Sequence, residues 1–187
     1  VQTVGEVKVV ASSGSFTNLI EVAADLTVDK LSSDWGWLRT EVAPAATLTL
    51  GNDLDSPLPI HTGNALPVLF GNGAFVKVGT GTLVIVHYGL ADTWTGTIDI
   101  QKGTLHHEGA STSLGKTSML TVQPGAMYSI SQPTADDPLG RGLTLNGTGI
   151  DGEGALKCST DRSMSSSASL ALPTDSTINV SNAAGVL

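Results

Sequence analysis

Residues 76–130 read VKVGTGTLVIVHYGLADTWTGTIDIQKGTLHHEGASTSLGKTSMLTVQPGAMYSI. Within this stretch a glycine-led triplet returns at a fixed step. Gly81 opens GTLVIV, Gly103 opens GTLHHE and Gly125 opens GAMYSI, each 22 residues after the last, and Gly147 opens GTGI after 22 more. The preceding segment repeats as well, since TIDI at 97–100 and MLTV at 119–122 are again 22 apart. A period near 22 is too short for a helix–turn–helix unit or a propeller blade. It suits one coil of a solenoid whose strands stack on those of the next coil. The fold expected is all-β, a parallel β-helix (solenoid) of about 22 residues per coil. Roughly eight coils at a strand spacing of about 4.8 Å give a rod on the order of 40 Å long.

Composition supports short strands and turns. Of 187 residues 22 are Gly, only 14% are charged and 4% are aromatic, which argues against helix bundles. The balance of 9 Lys and Arg against 17 Asp and Glu gives a net charge of −8. That disfavours nucleic-acid backbones and anionic membranes as partners. No apolar run approaches the length of a membrane span. Val1 is not preceded by a basic, apolar leader, so a signal peptide is expected to be absent or removed. The single Cys158 rules out an intrachain disulfide and suits a small buried apolar role.

Alternation of apolar and polar residues marks strands at 7–10, 47–50, 75–78, 82–86, 97–100, 119–122, 143–145, 169–172 and 177–180. Turn signals separate them, among them GNDLDSP at 51–57, YGLADT at 88–93 and QPTADDPLG at 132–140. The chain reads as one domain over 1–187, less regular over 1–74 and regular over 75–187. In the less regular part, DSPLPIHTGNALPVLFGNG at 55–73 carries Pro57, Pro59 and Pro67. Prolines interrupt a strand ladder, so a protruding loop or irregular coil is expected there. Gly81, Gly103, Gly125 and Gly147 are expected at equivalent coil corners, where glycine adopts backbone angles other residues reach at a cost. Leu83, Leu105 and Met127 are expected to stack as one apolar column inside.

The stretch 76–130 resembles the autotransporter-associated β-strand repeat. Lys77, Gly79, Gly81, Thr82 and Leu83 match its opening. Thr93, Trp94, Thr95, Gly96 and Thr97 match its turn, with Trp where the pattern usually has Tyr. Gly103, Thr104 and Leu105, then Leu114 and Gly115, then Leu120, Thr121, Val122, Gly125 and Ala126 complete it. Residues 142–187 look like the longer form of the same repeat. The resemblance covers about 110 residues. It implies a right-handed β-helical segment of an exported bacterial surface protein, with no catalytic residues to carry over. AAGVL at the C-terminus looks like the opening of another coil, so the chain reads as a possible fragment of something longer.

Candidate chemistry is sparse. Carbohydrate-cleaving sites need clustered carboxylates, or carboxylates holding calcium, with a basic partner. Asp53 with Asp55, and Asp151 with Glu153, share a strand face by alternation, whereas the adjacent Asp136 and Asp137 diverge. None has a basic residue recurring beside it at coil spacing. GTGIDGEGA is similar to one copy of a glycine-rich calcium loop, without the tandem copies such loops use. His106 and His107 are neighbours on a strand and face opposite sides, and His61 and His87 lie elsewhere, so no metal site is expected. Trp35 and Trp37 in DWGWLRT alternate onto one face with Arg39 next in line. Facing outward, they form a flat platform for a sugar ring; facing inward, they fill an irregular coil.

These readings point to a non-enzymatic structural or adhesive segment of a secreted or cell-surface bacterial protein, working without a cofactor. The partners expected are further coils of a parent chain or end-to-end copies forming a filament, with surface glycans or matrix proteins as ligands. The alternatives are a polysaccharide-active β-helix enzyme and a carbohydrate-binding module using the Trp face. The enzyme alternative rests on fold-level analogy alone.

Overall fold

The computed structural model describes residues 2–9, 17–33, 37–50, 67–86, 95–108, 118–131, 142–158 and 169–180. Strand alternates with strand between two walls. One wall is an eight-stranded sheet made of β1 (Gln2–Val9), β3 (Leu26–Ser33), β5 (Thr47–Leu50), β7 (Ala74–Lys77), β9 (Thr97–Ile100), β11 (Met119–Val122), β13 (Gly142–Leu145) and β15 (Ser169–Ala171), stacked in that order. The facing wall is built from two sheets. β2 (Thr17–Val22), β4 (Trp37–Val42) and β6 (Pro67–Gly71) form the first, while β8 (Thr82–Val86), β10 (Gly103–Glu108), β12 (Ala126–Ser131), β14 (Leu156–Cys158) and β16 (Ile178–Val180) form the second. Every pairing between these strands is parallel. Each coil therefore contributes one strand to the long sheet and one to the facing wall, and the fold is a parallel β-solenoid.

The register explains both the regular step and its drift. Thr82 pairs with Thr104, a step of 22, but Thr104 pairs with Met127, a step of 23. Tyr128 then pairs with Leu156, a step of 28. Strand pairing holds the side-chain columns in line, so extra residues are absorbed at corners rather than inside strands. The corner between Leu145 and Leu156 takes up this excess. It carries a 3₁₀ turn over Ile150–Gly152, a Gly149–Gly154 bridge and positive φ at Gly147, Gly149, Asp151, Gly152 and Gly154.

Inward-facing side chains form unbroken columns along the axis. On the long sheet one column runs Leu26, Leu48, Phe75, Ile98, Leu120, Leu143 and Leu170. Its members from Leu48 to Leu143 are all buried. On the facing wall the corresponding column runs Leu83, Leu105, Tyr128, Leu156 and Ile178. This corrects one sequence expectation. Leu83 and Leu105 do stack, but the next side chain in their column is Tyr128 and not Met127. Met127 pairs with Thr104, because the corner ending at Gly125 holds one residue more than the corner ending at Lys102. For the same reason Gly103 aligns with Ala126. Gly125, φ 78, sits in the same corner one residue earlier.

In the N-terminal part the strands pair at uneven steps: 24 between β1 and β3, 22 between β3 and β5, 27 between β5 and β7, 20 between β2 and β4, and 29 between β4 and β6. The stretch 55–73 differs from expectation at its C-terminal end. Pro67 opens β6, an edge strand of its sheet, and a proline is tolerated at the first position of an edge strand. Pro57 and Pro59 lie outside the described residues. On the outer surface of the long sheet Thr27, Thr49, Val76, Asp99, Thr121 and Thr144 form a half-buried row. Asp99 accepts hydrogen bonds from the side-chain amides of Gln101 and Gln123, each at 2.9 Å.

Candidate functional site

The outward face of the five-stranded sheet carries a polar row set by alternation in β10. His107 turns inward and is buried, occupying the column between Ile85 and Ile130. His106 turns outward, in register with Val84 on one side and Ser129 on the other. Its Nδ1 lies 3.0 Å from Ser129 Oγ and its Nε2 lies 3.3 Å from Ser131 Oγ. A hydroxyl can donate or accept, so two hydroxyls suit the ring in either tautomer and in its protonated form. The row continues from Ser129 to Lys157 and from Lys157 to Asn179. Lys157 Nζ lies 2.5 Å from the Glu153 carboxylate, and the Asn179 amide donates to the Glu153 carbonyl at 2.9 Å. Imidazole, hydroxyl, ammonium and amide thus follow one another along the solenoid axis at strand spacing.

Chemically this row is a hydrogen-bonding surface. A serine beside a histidine is one part of a nucleophilic centre. Such a centre also needs a group that orients the ring and donors aimed at an oxyanion. Here Ser129 Oγ lies against the ring's Nδ1 and Ser131 Oγ against its Nε2. The sequence pointed to His106 but not to Ser129, Ser131 or Lys157. A fixed 22-residue step from His106 arrives at Tyr128, one residue short of its true neighbour. The alternation in MYSIS at 127–131 was the available signal, since it places Ser129 and Ser131 on one face and Tyr128 and Ile130 on the other.

The remaining candidates fall in different places. Asp151 and Glu153 are both exposed in the long corner, and Glu153 is engaged by Lys157. Among the described residues no three His, Cys, Asp or Glu side chains come together as a metal site. Trp37 and Arg39 belong to β4. Trp37 pairs with Thr17, and Arg39 is flanked by Leu19 and Val68. Trp35 lies outside the described residues, as do Asp53, Asp55, His61, His87, Asp136 and Asp137. Cys158 is buried in the column that contains Ile130 and Val180. Among the described residues no helix is long and apolar enough to cross a membrane.

Lys77 is the unexpected titratable group. It faces inward between Leu50 and Ile100 and is 1% exposed. Its ammonium donates to the carbonyls of Val78 at 2.6 Å, Gly79 at 2.9 Å and Lys102 at 3.2 Å. The last of these belongs to the next coil, so the amine clamps two successive corners together. Burial lowers its pKa from 10.5 to about 8. The folded chain then releases this proton near pH 8, whereas the unfolded chain holds it until about pH 10.5. Between these values the unfolded state binds more protons, so this group's contribution to stability rises with pH and levels off above the window. Denaturation midpoints of wild type and Lys77→Met at pH 7, 9 and 10.5 check this. The wild type is expected to gain on the variant as pH rises, and a constant difference contradicts the buried-amine account.

Comparison with protein-family models, with curated proteins and with solved structures gave no match. The site is therefore read from its geometry alone.

Proposed function

We propose that this chain is a rod-like structural and adhesive segment of an exported bacterial surface protein, acting without catalytic turnover. The observation that carries this reading is the unbroken eight-stranded sheet over continuous apolar columns. Several polar side chains inside or against this stack serve the stack itself. Lys77 clamps corners, Ser118 Oγ donates to the Gly96 carbonyl at 3.1 Å, and Asn146 Nδ2 donates to the Val122 carbonyl at 2.9 Å. The resemblance of residues 76–130 to the autotransporter-associated repeat supports the exported, surface-exposed setting. Low charge density and an acidic balance fit ligands that are neither nucleic acid nor anionic membrane. Surface glycans or matrix proteins are the ligands proposed, contacted through the solenoid's outer rows.

The test sets a glycan array and immobilised matrix proteins beside a depolymerisation assay on neutral and acidic polysaccharides. Saturable binding without chain cleavage is the expected result. Robust cleavage, lost on Asp151→Asn or Glu153→Gln substitution, overturns the reading in favour of a polysaccharide-active enzyme.

A further inference from the structure

Three successive coils carry the same pair of outward polar positions where the strands of the long sheet end. Asp99 with Gln101, Thr121 with Gln123 and Thr144 with Asn146 bracket the buried Ile100, Val122 and Leu145 in turn. Register aligns Asp99, Thr121 and Thr144 in one row. The parallel ladder runs one residue further. The main-chain N–H of Gln123 donates to the Ile100 carbonyl at 2.9 Å, and that of Asn146 to the Val122 carbonyl at 3.0 Å. Gln101, Gln123 and Asn146 therefore form a row of amides beside the first row. Two of these amides hold the carboxylate, Gln101 through one Asp99 oxygen and Gln123 through the other, each at 2.9 Å. A carboxylate oxygen accepts more than one hydrogen bond, and a primary amide has a second N–H and a carbonyl oxygen. Met119 borders both rows. A Cβ at Gly142 would lie 3.1 Å from the Met119 Sδ and Cε, so the thioether lies across the next strand, where Thr144 Oγ1 donates to its sulfur at 3.7 Å. At 40% exposure it spreads an apolar surface beside the hydroxyls.

We propose that these rows bind an extended, uncharged polysaccharide lying along the solenoid axis across β9, β11 and β13. A sugar chain offers hydroxyls that both donate and accept, and ring faces that are apolar. Amides, hydroxyls and a carboxylate answer the first, and the Met119 thioether answers the second. β9, β11 and β13 are interior strands paired on both sides. Their polar groups therefore recur at about 4.8 Å on a rigid support, a step comparable with one sugar unit of an extended chain. Holding the Asp99 carboxylate between two amides before the ligand arrives lowers the ordering cost of binding. The two rows contain a carboxylate and no cation, so an acidic polysaccharide meets repulsion where a neutral one does not. This surface lies on the wall opposite the His106 row. The inference rests on the adhesive reading and narrows it to one face of the rod and one class of glycan.

The test titrates isotopically labelled full chain with neutral oligosaccharides, namely cellohexaose, the hexamer of N-acetylglucosamine and a mannan oligomer, and with hexagalacturonate as the acidic comparison. The expected result is saturable movement of the Gln101, Gln123 and Asn146 side-chain amide signals with a neutral oligomer, and weaker binding of hexagalacturonate. The double variant Gln101→Ala with Gln123→Ala is expected to weaken neutral binding by about tenfold or more with an unchanged circular dichroism spectrum. The wild-type amide signals give a readout that does not depend on how the variant folds. Neutral binding that leaves those signals unmoved and survives the double substitution overturns this site while the adhesive reading stands. Preference for hexagalacturonate overturns the ligand class. Failure of every neutral oligomer to bind overturns the proposal outright, and the adhesive reading then stands or falls on the matrix proteins and acidic glycans of its own assay.

Discussion

Gly103→Ala is expected to unfold or severely destabilise the solenoid, while Gly125→Ala is expected to be far milder. The two glycines occupy the same corner of successive coils and both have positive φ, 65° at Gly103 and 78° at Gly125. Backbone strain for a side chain is therefore similar at both, on the order of 1–3 kcal/mol. Their surroundings differ. A Cβ at Gly103 would lie 2.3 Å from the Gly81 carbonyl oxygen, 2.6 Å from that of Gly79 and 2.7 Å from the Thr80 carbonyl carbon. All three are backbone atoms of the preceding coil, so relief requires prising two coils apart at the corner. A Cβ at Gly125 meets nothing within 4 Å. Overpacking adds about 1–3 kcal/mol at Gly103 on top of the strain and nothing at Gly125. Urea denaturation of both variants checks the contrast, and equal losses would contradict the stacking of Gly103 on the corner beneath it.

Leu105→Ala is expected to cost about 2–5 kcal/mol. Leu105 is fully buried in the column between Leu83 and Tyr128. Parallel stacking fixes both neighbours through main-chain hydrogen bonds, which limits their collapse into the space left behind. Incomplete collapse moves the cost toward the upper part of that range. The control is Met119→Ala, on the outer face of the long sheet and 40% exposed, which is expected to cost much less. The difference in denaturation midpoint between the two variants is the measurement, and a Leu105→Ala chain as stable as wild type would place Leu105 outside the core.

Most of the coil architecture was legible because strand pairing makes the sequence repeat. TLTL, TLVIV, TIDI, GTLHHE and MLTV coincide with β5, β8, β9, β10 and β11. Several strands escaped the reading, β2, β4, β6, β12 and β14 among them. β4 begins at Trp37 in a run read either as a sugar platform or as the filling of an irregular coil, β6 begins at a proline, and β14 is only Leu156–Cys158 after a glycine-rich corner. Drift in the coil length was not legible, because a corner can take up residues without disturbing the strands on either side. That drift moved Tyr128 into the place expected for Met127, and it hid the neighbours of His106. Lys77 matched the repeat's opening lysine, but its burial among Leu50, Ile100 and three carbonyls follows from the inward face of β7. Nothing in the residue type announced it, since a lysine on an alternating strand ordinarily faces water.

The central claim, that successive coils stack in parallel with Thr104 in register with Thr82 beneath it and Met127 above it, is tested most directly by paired-cysteine cross-linking. Register partners on adjacent parallel strands fall within the Cα separation a disulfide spans, about 4.4–6.8 Å. Thr82→Cys with Thr104→Cys, and separately Thr104→Cys with Met127→Cys, are expected to form intramolecular disulfides rapidly under mild oxidation. Thr104→Cys with Tyr128→Cys is expected to resist, because Tyr128 faces inward. Efficient closure of the Thr104–Tyr128 pair, or failure of both register pairs in a folded chain, would contradict the solenoid described here.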